Sequence, residues 1–215
     1  MPQRPSPNFG PRRGGLTPSI VVIHYTAMKN AQDALDRLCD PAAEVSAHYL
    51  IANDGTLTQL VAEEQRAWHA GHGEWRGEAD VNSRSIGIEL DNTGSHPFSE
   101  PQMAALEMLL ERVLSRWSIR PDNVIAHSDM APGRKYDPGA RFDWTRLARG
   151  GLARMPRVAP MAAPCVVSPS AFRALAAAAG YTAQVDDDTL LGAVRLRYRP
   201  FASGPLSFED FAVLR

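Results

Sequence analysis

Ser19-Ile20-Val21-Val22-Ile23-His24-Tyr25-Thr26 is apolar and β-branched at consecutive positions rather than at alternate ones. A strand wetted on one face alternates, whereas a run apolar on both faces predicts a central strand buried inside a sheet. The run closes on His24, so an imidazole is delivered where strand gives way to loop. Loops at strand ends, held by a rigid sheet, are where binding and catalytic groups concentrate.

A shorter strand of the same kind, Val124-Ile125-Ala126, leads into His127-Ser128-Asp129-Met130-Ala131-Pro132-Gly133-Arg134-Lys135-Tyr136-Asp137-Pro138-Gly139. An imidazole, a lysine and a carboxylate fall together in this segment, which Pro132 and Pro138 stiffen. Pro138 disfavours helical φ/ψ at Asp137 and predicts an extended backbone there. Residues two apart in such a segment face the same way, so Lys135 and Asp137 are expected to project together. Taken singly, each group has an ordinary alternative: a hydrogen-bonded histidine, a turn built on Asp-Pro-Gly, a solvated lysine.

Between these strands the chain alternates helix and strand signals. Ala31, Ala34, Leu35 and Leu38 have helical spacing after Asn30 as N-cap. Ala47 to Ala52 and Thr56 to Val61 flank Asn53-Asp54-Gly55 and predict a hairpin. His48 lies in its first strand, either beside the site or packed and hydrogen-bonded. Ala67-Trp68-His69-Ala70-Gly71-His72-Gly73-Glu74-Trp75 is a glycine-broken loop whose aromatics suit a sugar or peptide groove, with His69 as the favoured substrate contact. In Ser85-Ile86-Gly87-Ile88-Glu89-Leu90-Asp91 a carboxylate interrupts an apolar strand. Burying it costs several kcal/mol unless it is paired or its pKa rises, so Glu89 is either functional or on a wet edge. Ser99 to Trp117 is the clearest helix, with Ser99 and Gln102 as a capping box and a stripe of Met103, Leu106, Leu110, Val113 and Trp117. Phe142 to Ala148 predicts a closing helix.

Two imidazoles and one carboxylate are a standard protein set for catalytic zinc, which keeps a fourth position open for water. His24, His127 and Asp137 are the candidate ligands, Glu89 the candidate general base and Lys135 the candidate cation for an oxyanion. Together these roles describe amide hydrolysis. A structural zinc site would normally have four protein ligands, often cysteines.

Composition agrees with a globular enzyme: hydrophobic residues are 44% and charged residues 22%. Net charge is -1 with no basic stripe, so no nucleic-acid partner is expected. Cys39 and Cys165 are too few for a disulfide framework. Residues 1–17, rich in proline, arginine and glycine, read as a flexible arm without a signal-peptide-like apolar stretch. No run reaches the roughly 20 apolar residues of a membrane span. The expected location is the cytoplasm, with the periplasm or cell envelope as the alternative. Residues 149–166 have the Pro/Gly/Ala composition of a linker, and residues 167–215 read as three short helical segments forming a small all-α module.

The series Val22-Ile23-His24-Tyr25-Thr26, Ser46-Ala47-His48-Tyr49-Leu50-Ile51, Trp68-His69-Ala70-Gly71, Ser85-Ile86-Gly87-Ile88-Glu89 and His127 through Gly139 resembles the zinc-dependent N-acetylmuramoyl-L-alanine amidases of the type-2 class, relatives of peptidoglycan recognition proteins. The resemblance covers roughly residues 18–148. It implies an α/β fold with a mixed central β-sheet flanked by helices, and one zinc on His24, His127 and Asp137. It also implies Glu89 and Lys135 as catalytic residues, with Tyr25, His48, His69 and Arg134 toward the substrate. The reaction implied is cleavage of the amide between the lactyl group of N-acetylmuramic acid and L-alanine, in peptidoglycan or soluble muropeptides, for wall turnover or recycling. Gly180-Tyr181 and Arg197-Tyr198-Arg199-Pro200 resemble a helical peptidoglycan-binding module. Val194-Arg195 stands where that module usually has an aromatic followed by glutamine, and a structural lid is the other reading of the tail.

Overall fold

The computed structural model describes residues 3–154 and 167–215. Its strands are β1 (Phe9–Pro11), β2 (Ile20–Tyr25), β3 (Tyr49–Ile51), β4 (Leu57–Gln59), β5 (Gln65–Ala67), β6 (Ser85–Leu90) and β7 (Val124–Ala126). The helices are α1 (Ala31–Cys39), α2 (Val81–Arg84), α3 (Glu100–Trp117), α4 (His127–Met130), α5 (Trp144–Arg149), α6 (Pro169–Ala179), α7 (Asp187–Tyr198) and α8 (Phe208–Ala212).

The main sheet has the order β4-β3-β6-β2-β7. Its last four strands are parallel, and β4 closes the edge as the antiparallel arm of the expected hairpin. The mixed sheet is thus as the sequence led one to expect, with β2 in its interior. The side chains of β2 alternate between two cores. Val21 and Ile23 pack with Leu106, Leu110 and Val113 of α3. Ile20 and Val22 pack with Ile125 of β7 and with Phe172, Leu190, Val194 and Phe211 of the C-terminal helices. Both faces of β2 are apolar because each is covered by a different layer.

Residues 167–215 supply one of the two helical layers of the sheet, so the small helical segment buries its apolar faces by packing on the first domain. Their Gly180-Tyr181 pair is used internally: Tyr181 is buried against Trp75, with ring centroids 5.2 Å apart. A Cβ at Gly180 would lie 2.4 Å from the Trp75 indole, and its φ of 124° also demands glycine.

Arg197 ties this layer to the segment that carries His127. Its Nη1 donates to Asp129 Oδ2 at 2.8 Å, its Nη2 to the Val124 carbonyl at 3.0 Å, and its guanidinium lies 3.7 Å over the Trp144 ring. Asp129 also accepts from the Tyr181 hydroxyl at 2.6 Å and from the Ala126 amide at 2.8 Å. Both Arg197 and Asp129 are buried. Removing one partner of a buried ion pair strands the other charge, so Arg197→Ala is expected to destabilise the fold by about 3–5 kcal/mol. Urea unfolding measures this, and a variant within about 1 kcal/mol of wild type would contradict the buttress.

The N-terminal segment is likewise not a free arm. Strand β1 pairs antiparallel with β5. Ser6 Oγ donates to the Leu38 carbonyl at 2.5 Å, and Asn8 Nδ2 donates to the carbonyls of Asp40 and Val45 at 2.8 Å. Arg12 donates to the carbonyls of Glu63, Ser83 and Ser85 at 2.7, 3.0 and 3.1 Å. Proline and glycine composition suggested flexibility; side chains reaching main-chain carbonyls hold the segment instead.

Leu152 and Ala153, placed in the linker by composition, are buried in the α3 core. Residues 155–166 of that expected linker, with Cys165, lie outside the described residues. Two helix starts follow the cap chemistry: Asn30 Oδ1 accepts from Asp33 N at 2.9 Å, and Ser99 Oγ from Gln102 N at 3.3 Å. The reciprocal half of the capping box is not made. Gln102 Nε2 points inward and donates to the carbonyls of Ile51 and Asp91 at 2.9 and 3.1 Å, joining α3 to the ends of β3 and β6.

Candidate active site

The register of the parallel strands assembles the site. His24 on β2 stands opposite Glu89 on β6, and Ala126, opposite Ile23, hands the chain to His127 one level further on. All three side chains therefore reach the carboxyl ends of the strands, where open α/β sheets form their crevices. Asp137 returns to the same place by the turn after α4, its carbonyl accepting from the Ser128 amide at 3.1 Å.

His24 Nδ1 lies 2.9 Å from His127 Nδ1 and 2.9 Å from Asp137 Oδ2, and His127 Nδ1 lies 3.0 Å from the same oxygen. All three residues are buried. His127 Nε2 is 2.9 Å from the Ala70 carbonyl, which can only accept, so Nε2 carries the proton and Nδ1 presents a lone pair. Burial, then the neighbouring His127, press the His24 pKa down to about 4, keeping it neutral near pH 7. Burial pushes the Asp137 carboxyl up, but its contacts with His127 and His24 more than reverse this, so it is ionised. A cation seated among His24 Nδ1, His127 Nδ1 and Asp137 Oδ2 would be within reach of all three. The donor set suits one divalent metal of borderline softness, and three protein ligands leave a position open.

A cleft of about 400 Å³ opens over this cluster, lined by Tyr25, Trp68, His69, Glu89, Arg134 and Lys135 as well as the three ligands. Glu89 Oε2 is buried with no hydrogen-bond partner among the described residues. Burial and, next, the charge of Asp137 push Glu89 up to about 8, with Lys135 pulling the other way. An unpartnered carboxylate facing a cleft is placed to take a proton. Lys135 and Asp137 both line this cleft.

Tyr25 stands at the mouth, its ring resting close to Gly94 and Gly139. Arg134 is held at the rim, donating to the carbonyls of Ala70, at 2.8 Å, and His72. His69 lies on the wall with its Nδ1 2.9 Å from His24 Nε2, so its strongest contact is to a ligand of the cluster.

His48 does not reach the cleft. It is fully buried, its Nδ1 accepts from the Gly87 amide at 2.9 Å, and its Nε2 meets the Gln65 carbonyl at 3.1 Å. It is the packed, hydrogen-bonded histidine that stood as its alternative. Trp75, read as part of the groove, is also buried, whereas Trp68 does line the cleft. Sequence reasoning passed over Arg37, which also lines the cleft, because an exposed arginine on α1 looks like any solvated charge. It also left Asn82 without a role. Asn82 Oδ1 accepts from the amides of His69 and Ala70 at 3.0 and 2.8 Å and so fixes the loop that carries His69.

Fold and cluster together define an α/β protein in which His24, His127 and Asp137 form a group that could hold a metal ion, open to a cleft at the strand ends. Residues 14–140 match the Amidase_2 family, described as N-acetylmuramoyl-L-alanine amidase, and the chain belongs to that family. It is 40% identical over 153 residues to the N-acetylmuramoyl-L-alanine amidase AmiD of Escherichia coli, an alignment covering 64% of this chain and 54% of AmiD. The chain thus spans about half the length of that relative. It is 35% identical over 160 residues to the 1,6-anhydro-N-acetylmuramyl-L-alanine amidase AmpD of Enterobacter cloacae, covering 66% of this chain and 86% of AmpD. The structure of E. coli AmiD with the substrate anhydro-N-acetylmuramic acid-L-Ala-D-gamma-Glu-L-Lys superposes with a TM-score of 0.82 at 32% identity, covering 98% of this chain and 90% of that one. AmpDh3 from Pseudomonas aeruginosa in complex with anhydromuramic pentapeptide gives 0.81 at 31% identity, covering 98% and 93%. These two superpositions, each over 98% of the chain, take in the C-terminal helices too, in keeping with their place in the core.

Proposed function

We propose that the chain is a zinc-dependent amidase that hydrolyses the bond between the lactyl group of N-acetylmuramic acid and L-alanine. The observation that carries the reading is the convergence of His24, His127 and Asp137, at 2.9–3.0 Å from one another, beneath a cleft that also holds an unpartnered Glu89 and Lys135. The relatives crystallised with ligand hold anhydromuramyl peptides, which favours a soluble 1,6-anhydro muropeptide over the intact wall as substrate. That preference goes with recycling in the cytoplasm. No helix among the described residues is long and apolar enough to cross a membrane.

His24 Nδ1, His127 Nδ1 and Asp137 Oδ2 would hold the zinc. When bound, zinc supplies Lewis-acid polarisation and lowers the pKa of water to near 7. Glu89 takes the proton of the attacking water and returns it to the departing alanine nitrogen, two transfers that suit a carboxyl whose pKa lies near neutrality. The Lys135 ammonium faces the negative charge that grows on the carbonyl oxygen and stabilises it in a site poor in water. Arg134 and Tyr25 at the rim are placed to hold the peptide and sugar on either side of the scissile bond.

Mass spectrometry of products tests the proposal after incubation with a 1,6-anhydro muropeptide and, separately, with intact sacculi, each with and without a chelator. Chelator-sensitive release of free stem peptide is expected, faster from the soluble substrate. Preference for sacculi would shift the role to wall remodelling in the envelope. Zinc binding without cleavage of either would leave a recognition protein.

A further inference from the structure

The metal reading leaves open how His24 comes to present Nδ1, rather than a protonated nitrogen, to the cluster. We propose that Ser85 and His69 form a hydrogen-bond relay, anchored on the Val81 carbonyl, that fixes His24 in its Nε2–H tautomer and aims the Nδ1 lone pair at the metal. This rests on the metal site proposed above.

The direction of the relay follows from what each atom can do. Ser85 Oγ lies 2.6 Å from the Val81 carbonyl, which has no hydrogen, so the single Ser85 hydroxyl proton is committed there. Ser85 Oγ is also 3.0 Å from His69 Nε2, and with its proton spent it can only accept, so His69 Nε2 carries a hydrogen. A neutral imidazole has one N–H, which leaves His69 Nδ1 as an acceptor. His69 Nδ1 is 2.9 Å from His24 Nε2, which must therefore donate. The remaining nitrogen of His24, Nδ1, faces His127 and Asp137 with its lone pair. Reversing any link would leave two lone pairs facing each other at hydrogen-bond distance.

The relay is built into the strands. Ser85 is fully buried at the start of β6, where α2 ends, so the anchoring carbonyl and the hydroxyl belong to one rigid corner. The His69 ring lies over Gly87: a Cβ there would sit 2.4 Å from the ring's Cγ. His69 meets the His24 ring edge to face at 5.0 Å and the His48 ring at 5.8 Å, and its backbone amide is held by Asn82. Gly87 in the strand and the serine two residues before it are thus explained by one neighbour. Metal-ligating histidines usually give their second N–H to a carboxylate, carbonyl or water, and such partners govern affinity. Here a second imidazole takes that place, making His69 a positioning residue that acts through His24.

The test uses the full chain and reads two quantities besides turnover: the dissociation constant for zinc, by competition with a chelator, and the tautomer of each ring from histidine 15N–1H NMR. His69 is expected as Nε2–H both with and without zinc. Ser85→Ala and His69→Leu are expected to raise the zinc dissociation constant roughly 10–100-fold. His69→Gln, whose amide oxygen still accepts from His24, should stay within a few-fold of wild type. An Nδ1–H tautomer at His69 in the wild-type chain, or wild-type zinc affinity in both Ser85→Ala and His69→Leu, overturns the relay. Should a variant fail to fold, the wild-type tautomer alone decides. A wild-type chain that takes no zinc but shows His69 as Nε2–H sinks the amidase reading and leaves the relay as what sets the His24 tautomer.

Discussion

Glu89→Gln lowers kcat on a muropeptide by roughly 10²–10⁴-fold while zinc affinity stays within a few-fold of wild type. The amide keeps the shape of the side chain and removes its ability to take a proton. Because Glu89 makes no contact with the Nδ1 and Oδ2 atoms that converge on the metal position, the metal should not notice the change. The same variant has an opposite effect on stability. Burial, followed by the charge of Asp137, raises Glu89 from its usual 4.5 to about 8. A group whose pKa is higher in the folded than in the unfolded chain stabilises the fold as its neutral form. That contribution is complete below the unfolded value and is lost as pH rises through the folded one. In the metal-free protein, Glu89→Gln should therefore melt with wild type at about pH 4 and above it at about pH 8, by a gap on the order of a few kcal/mol. Kinetics, zinc titration and thermal melts across pH check the three parts. Turnover within tenfold of wild type would remove Glu89 from the role of base.

Asp137→Ala abolishes both zinc binding and turnover. It deletes one of three ligands, so its effect on affinity should exceed the roughly 10–100-fold that follows loss of an outer partner of a ligand. Zinc at a hundred times its dissociation constant stabilises a folded protein by about 2.7 kcal/mol. The wild-type melt should rise on adding zinc, and that of Asp137→Ala should not move. A variant that still gains stability from zinc and still cleaves would mean that Asp137 is not a ligand.

Much of this was legible in the chain. The double-sided apolar run at Ile20–Ile23 announced an interior strand, and the turn residues Asn53-Asp54-Gly55 announced the β3–β4 hairpin. His24 and His127 could be singled out because each ends such a strand, and Asp137 because it follows His127 in a segment stiffened by prolines. These are properties of residues and their near neighbours, which periodicity and turn chemistry report directly.

His48 and His69 show where that legibility ends. Both are histidines in polar-looking surroundings. Only the register of β3 beside β6 decides that His48 is sealed behind Gly87, while Asn82 and Gly87 together lay His69 against a metal ligand. The same holds for the termini. Composition marked residues 1–17 as an arm and residues 167–215 as a module, because proline, glycine and alanine content says how a segment behaves alone. Arg12 reaching the carbonyl of Ser85, and Arg197 reaching Asp129, join positions far apart in sequence, and no local pattern encodes such a meeting. The sequence by itself determined the α/β class, the interior strand, the ligand types and their strand-end positions. The tertiary structure alone decided which histidines converge with Asp137 and that the tail covers one face of the sheet, because both depend on which strands become neighbours and on what covers each face.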